Sequence, residues 1–210
     1  MHLSGSDIQG LERRRRAALI NSITGYKPAN LVGTADARGH SNLAIMSSLV
    51  HIGSQPPLLA LIFRPDTSER HTLANIRATG SYTINHVSSD MIDAAHQTAA
   101  RYPQAISEFS AAGFHELWRE GHAAPFVSEA QVRLGMILRE DAELAINGTH
   151  MVIGEIVSLE CPDAALNELG ALDPALSDSV AVAGLDSYYR GAPLQRMAYA
   201  KPDQPPRRIG

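Results

Sequence analysis

Two spacings of apolar residues divide the chain. Between Asp7 and Ile23, Ile8, Leu11, Leu19, Ile20 and Ile23 share one side of a predicted helix, and Arg13 to Arg16 carry charge on the other. From Ala29 the pattern becomes that of strands. Asn30 to Ala35 and Ser41 to Leu49 flank a turn at Asp36-Ala37-Arg38-Gly39, which predicts a hairpin. After Pro56-Pro57, Leu58 to Phe63 is an unbroken apolar run closed by Arg64-Pro65, the pattern of a central strand buried on both faces. Thr72 to Ala78 then reads as a short helix stopped at Gly80, and Ser81 to Val87 alternates as a strand.

The second half repeats the theme. Asp90 to Ala100 and Ala105 to Ala112 are Ala-rich and predict helices packed outside the sheet. Gln131 to Arg139 and Met151 to Leu159 predict two strands joined through Asn147-Gly148, a dipeptide suited to positive φ and a tight turn. Strands in both halves, helices between them and no regular βαβ alternation predict an antiparallel α+β barrel, mainly β. A single domain over residues 1–200 is expected, with a helical segment at 1–28 and an extended, flexible tail at 201–210 that holds three prolines.

Composition narrows the partners. With 44% hydrophobic and 19% charged residues in 210, the chain has the makings of an ordinary core. A net charge of -4 and a pI near 6.1 offer no positive field for nucleic acid, so Arg13 to Arg16 read as a solvated helix face. Cys161 is the single cysteine and reads as a structural thiol, consistent with a reducing compartment. Neither a leader-like apolar stretch nor a membrane-length one occurs, and a cytoplasmic protein is the expectation.

Two segments carry candidate chemistry. Arg70, His71, Thr72 and Asn75, with Arg64 upstream, combine positive charge, a hydroxyl, an amide and the free N–H groups of a helix start, which is what a terminal phosphate needs. The same residues also suit a capped helix with solvated charges. Asn42 and Met46-Ser47-Ser48-Leu49 place small polar groups at the end of an otherwise apolar strand, where a planar polar ring could approach; a strand running out into a loop reads equally well. His115-Glu116 and His122 miss the i, i+4 histidine spacing of a zinc helix. No dinucleotide fingerprint, phosphate loop or nucleophile elbow is present.

Taken in order, Gly33-Thr34-Ala35-Asp36, Gly39, Asn42-Leu43-Ala44, Ser47-Ser48-Leu49, Pro56-Pro57-Leu58, Arg70-His71-Thr72, Asn75-Ile76, Thr79-Gly80 and Ile84-Asn85 resemble the flavin-reductase-like FMN-binding family. The resemblance implies an antiparallel Greek-key split β-barrel with flanking helices, a homodimer, FMN near the subunit interface, and NADH or NADPH as electron donor. It implies that Asn42 and Met46 to Leu49 face the flavin, and that Arg70, His71, Thr72 and Asn75 hold its phosphate. His150 matches a family histidine near the nicotinamide, with Thr149 where the family has an acid. The resemblance also brings Tyr188, Tyr189 and Arg190 near the flavin of either subunit. A non-enzymatic FMN-binding electron carrier is the alternative to a reductase.

Overall fold

The computed structural model describes residues 1–65 and 71–209. Residues 66–70, which include Arg70 of the expected phosphate cradle, lie outside the described residues.

The N-terminal segment is two helices, α1 (Gly5–Gly10) and α2 (Arg13–Ser22), where one was expected. The break has a local cause. Leu11 is extended, and the Glu12 carboxylate accepts the N–H groups of Arg14 and Arg15, so Glu12 starts a new helix. Neither helix has a buried residue, and Ile20 and Ile23 stay exposed.

The strands follow as β1 (Lys27–Pro28), β2 (Asn30–Ala35), β3 (Ser41–Met46), β4 (Leu49–Ser54) and β5 (Pro57–Phe63). Helix α3 (His71–Thr79) leads into β6 (Ser81–His86), and α4 (Ile92–Gln97) and α5 (Glu108–Ala112) into β7 (Glu116–Leu117) and β8 (Phe126–Val127). The long hairpin β9 (Arg133–Leu144) and β10 (Thr149–Glu160) turns at Asn147-Gly148, where Gly148 takes φ 71°. Strands β11 (Val180–Ala183) and β12 (Ser187–Arg190) form a small sheet with β1, and β13 (Arg196–Met197) pairs with β14 (Arg208–Ile209), folding the tail back on itself.

The main sheet has seven antiparallel strands in the order β3-β2-β6-β9-β10-β5-β4. Strand β5 is therefore second from an edge, not central. Its unbroken apolar run has a different source: Leu61 and Phe63 enter one core cluster, while Leu58 and Ile62 remain only half-buried. Strand β4 was hidden in the sequence by the break at Pro56-Pro57, and the two helical stretches after β6 are shorter than their composition predicts.

Two clusters form the core. Val32, Leu61, Phe63, Tyr82, Ile84, Met136 and Val152 pack together under Leu73 and Ile76 of α3. Leu31, Leu43, Val87, Met91, Phe109, Phe114 and Val180 form the second, which α4 and α5 help to close. The strand period of two splits neighbours such as Leu31 and Val32 between the clusters.

The two edges of the main sheet differ. Along β3, the N–H of Leu43 donates to the buried Glu108 carboxylate at 3.0 Å and that of Ile45 to the buried Thr98 hydroxyl at 2.9 Å. These side chains occupy hydrogen-bonding positions that an added strand would need. Glu108→Ala is expected to cost about 2 kcal/mol in chemical denaturation by stranding a buried N–H, with Glu108→Gln, which keeps an acceptor, recovering most of it. Equal losses in the two variants would refute this account. Among the described residues, no hydrogen bond reaches the outer edge of β4.

Candidate functional site

Helix α3 joins two polar constellations. At its start, His71, Asn75 and Asn42 line a recess with Asp36, His40 and Ser41. Thr72 and the two asparagines are buried and brace the helix: Asn42 Nδ2 donates to Thr72 Oγ1 at 3.0 Å, and Asn75 Nδ2 to Thr34 Oγ1 at 3.2 Å. Their first contribution is thus to fix the end of α3 against β2 and β3. His71 is half-buried beside them.

The electrostatics of this end are distinctive. The other α-helices each have a carboxylate at the cap or in the first turn, namely Asp7, Glu12, Asp93 and Glu108. The first turn of α3 has none. A helix start carries partial positive charge from its unpaired N–H groups, and here no acid of its own first turn offsets it. The carboxylate in the recess, Asp36, is already engaged. It accepts the backbone N–H groups of His40 and Arg38 at 3.0 and 2.8 Å, and its Oδ2 lies 3.0 Å from His40 Nδ1. The His40 N–H first, joined by the His40 ring and the Arg38 N–H, outweighs desolvation and lowers its pKa to about 2. The recess thus offers the N–H groups of the α3 start and the His71 and His40 imidazoles, while the Ser41 hydroxyl already donates to Glu116; the N–H and imidazole donors suit a phosphate monoester.

The stretch after β3 is ordered from within. Ser48 Oγ donates to the Ile62 carbonyl at 2.7 Å and the Ile62 N–H returns to Ser48 O at 3.3 Å. Met46 and Leu49, half-buried, pack on the core cluster beneath α3, and Ser47 between them is half-buried. Arg64 stands exposed after β5.

At the far end of α3, Arg77 meets β9 and β10. It lies six residues past His71, about 9 Å along the axis. Its Nε donates to Asp141 Oδ2 at 2.6 Å, and His150 Nδ1 lies 2.9 Å from Asp141 Oδ1. Arg77 Nη2 is also 3.0 Å from His150 Nδ1. One ring nitrogen cannot both donate to Asp141 and accept from Arg77, so the imidazole has two alternative bonding states. Burial opposes ionisation of Asp141, but hydrogen bonds from Arg77 and His150 outweigh it and hold the carboxyl below its ordinary range. His150 and Asp141 side chains are only 20% and 17% exposed, so His150 is not a hairpin residue facing solvent.

Asp141 and Arg77 are the residues that sequence reasoning missed. His150 sits opposite Glu143 in the hairpin, and Asp141 is two residues further along the same face of β9. The acid absent from position 149 is thereby supplied across the ladder. A strand alignment of β9 with β10 would have found it.

The remaining candidates lie elsewhere. Tyr188 Oη is 2.9 Å from His96 Nδ1, Tyr189 packs on Tyr26 at 4.8 Å between ring centroids, and Arg190 pairs with Asp178 at 3.0 Å. His115 pairs with Glu129, and His122 lies against Phe126; among the described residues no cluster of three metal-ligating side chains occurs. Cys161 is half-buried against the cluster beneath α3. Among the same residues, no helix is long and apolar enough to cross a membrane.

This architecture belongs to a known class. Residues 26–178 match the flavin reductase like domain, and the chain belongs to that family. It is similar to a Shewanella frigidimarina protein with a flavin-reductase split-barrel domain, at 48% identity over 95% of this chain and 100% of the other, with a TM-score of 0.91. The 2-nitrobenzoate 2-nitroreductase NbaA of Pseudomonas fluorescens shares the fold at 22% identity, 98% of each chain and a TM-score of 0.80. An FMN-binding protein of Thermus thermophilus does so at 16% identity, covering 80% of this chain and 87% of the other, with a TM-score of 0.67.

Proposed function

We propose that this chain is an FMN-binding oxidoreductase that uses NADH or NADPH as electron donor and works as a homodimer. The observation that carries the reading is the first turn of α3, which holds no acid, opening on a donor-lined recess whose Asp36 is already engaged, within a chain of the flavin-reductase-like family. FMN, when bound, would supply the chemistry by accepting a hydride at its N5. His71 and the N–H groups of α3 would hold the phosphate, with Arg70 of the preceding segment and Arg64 adding charge. Asn42, Thr72 and Asn75 would keep that cradle in place, and Met46 to Leu49 would border the ring.

His150 would orient the nicotinamide, and Asp141 would orient His150. With Nδ1–H donated to Asp141, Nε2 is left as the working nitrogen, 3.9 Å from Glu143 Oε2. Asp141→Asn is expected to lower nicotinamide-driven turnover about tenfold by loosening this placement, with FMN affinity retained and Asp141→Glu restoring part of the rate. Unchanged turnover in Asp141→Asn would remove the positioning role.

The dimer reading has its own support. Val50 and Ile52 on β4, with Val157 and Leu159 on β10, are large apolar side chains left exposed, as an interface with a second copy requires. Light scattering tests it; a monomer at micromolar concentration sinks it.

The purified protein is expected to show flavin absorbance near roughly 370 and 450 nm and, with added FMN, to oxidise NADH or NADPH. Turnover with neither donor, in a protein that does bind FMN, overturns the reductase. It would favour the electron-carrier reading, which draws on the engagement of His150 by Asp141 and Arg77.

A further inference from the structure

The arginines of α2 take no part in the site at α3. Arg13 to Arg16 occupy successive positions, and at about 100° per residue they spread over most of the helix circumference. Among the described residues, none of them pairs with a carboxylate. The Arg16 guanidinium donates to the carbonyls of Gln9 at 2.7 Å and Leu11 at 3.2 Å, closing the end of α1. Arg13, Arg14 and Arg15 stand exposed. Their neighbouring acid, Glu12, spends its carboxylate on the N–H groups of Arg14 and Arg15. With no buried residue in α2, core packing does not account for the helix.

An apolar patch adjoins these cations. Lys27 Nζ donates to the carbonyls of Asn21 at 2.9 Å and Gly184 at 3.2 Å, which ties the end of α2 to the turn between β11 and β12. Ile23 beyond the helix, Tyr26, and Leu185 in that turn are each more than half exposed. Ile20 is exposed as well, and Tyr26 packs on the exposed Tyr189 with ring centroids 4.8 Å apart. The charges at this end are few. Lys27 is held by the two carbonyls, Arg190 pairs with Asp178, and Asp186 accepts from the Ser187 hydroxyl.

We propose that α2 and the β11–β12 turn form a surface for reversible binding to a bilayer that carries anionic phospholipid. The arginines would lie among the headgroups, with Ile23 and Leu185 reaching below them and the tyrosines at the boundary. Charge complementarity selects this occupant. A fluid layer of anionic headgroups meets cations on every side of a helix, whereas a protein of fixed shape meets one side. A second copy seated α2 to α2 would set arginine against arginine. The net charge of -4 does not prevent the contact, because at about 0.1 M salt charges are felt over only about 10 Å and the local cations decide.

Co-sedimentation of the full chain with vesicles tests it, using phosphatidylcholine alone and phosphatidylcholine with about 30% phosphatidylglycerol. The protein is expected to pellet with the anionic vesicles only, and to be released at about 0.5 M salt. Arg13→Gln/Arg14→Gln/Arg15→Gln is expected to weaken vesicle affinity by about tenfold or more. Ile23→Ser/Leu185→Ser should weaken it several-fold while keeping the preference for anionic lipid. Arg207→Gln/Arg208→Gln removes two exposed cations from the tail and should leave affinity within about twofold of wild type. None of the substituted residues is buried, so thermal unfolding of each variant is expected to match wild type.

Failure to bind the anionic vesicles overturns the proposal, as does binding that the α2 variant retains. Undiminished binding by Ile23→Ser/Leu185→Ser, or an equal loss in Arg207→Gln/Arg208→Gln, overturns it too, since either reduces the contact to charge attraction without a site. Arginine-dependent binding of poly-glutamate in the absence of vesicle binding overturns it in favour of an acidic protein partner.

Discussion

Gly154→Ala is expected to lower the free energy of unfolding by about 2–3 kcal/mol, a large effect for a single methyl group. A Cβ at this position on β10 would run into the Tyr82 hydroxyl and come within 2.8 Å of its Cζ. Tyr82 cannot yield easily. It is fully buried on β6 among Val32, Ile84, Met136 and Val152, and its rigid ring has no free rotamer to occupy. Among the described residues its hydroxyl has no hydrogen-bond partner, and burial raises its pKa above the ordinary phenol value. Tyr82→Phe alone is therefore expected to be neutral or slightly stabilising. Combined with Gly154→Ala it should recover part of the loss, because the hydroxyl clash disappears while the ring clash remains. Denaturant titration of the four proteins decides the matter. Strict additivity of the two substitutions would show that they do not meet.

Stability is expected to fall by about 3 kcal/mol as the pH drops from 6.5 to 4, on account of His86. Burial at the end of β6 lowers its pKa from 6.5 to about 4, while Nδ1 lies 2.9 Å from the Ser179 hydroxyl. The folded protein thus keeps the ring neutral while the unfolded chain takes up a proton. The stabilisation is fully present above pH 6.5 and is lost as the pH falls through the folded value. His122 contributes in the same direction, since its burial beside Phe126 also lowers its pKa, against the bond to the Tyr82 carbonyl. Asp36, Asp141 and Asp178 titrate below their ordinary range, so most of their losses fall at lower pH, while Glu12 and Glu160, also lowered by their hydrogen bonds, add to the slope only near its acid end. His86→Gln should flatten most of the slope between pH 6.5 and 4. A slope unaltered by that substitution would show that His86 is not the group responsible.

Much of the fold was legible because its elements are locally encoded. Asn147-Gly148 marked the long hairpin, and the change of period at Ala29 marked the start of the sheet. What escaped depended on partners distant in sequence. The break at Leu11 comes from the Glu12 side chain capping the next helix, which outcompetes a continuous apolar stripe. The place of β5 near an edge follows from strand order, and no feature of Leu58 to Phe63 reports that order. In the candidate site, His71 and Asn75 stand at the start of α3, and Asn42, expected against the flavin with Met46 to Leu49, lines the same recess. The internal hydrogen bonding of the two asparagines, however, depends on Thr34 and Thr72 facing them across the fold. Asp141 was invisible as a partner of His150 because nine residues and a hairpin separate them.

The unequal edges of the main sheet bear on how large an assembly can become. With Thr98 and Glu108 acting as stoppers along β3, growth of the main sheet by strand addition has, among the described residues, one open margin, that of β4. Two copies joined there about a twofold axis would consume both open margins of the main sheets at once and turn only the stoppered β3 margins outward. Polymerisation by that route would end at two, which makes the stoichiometry self-limiting without any further control.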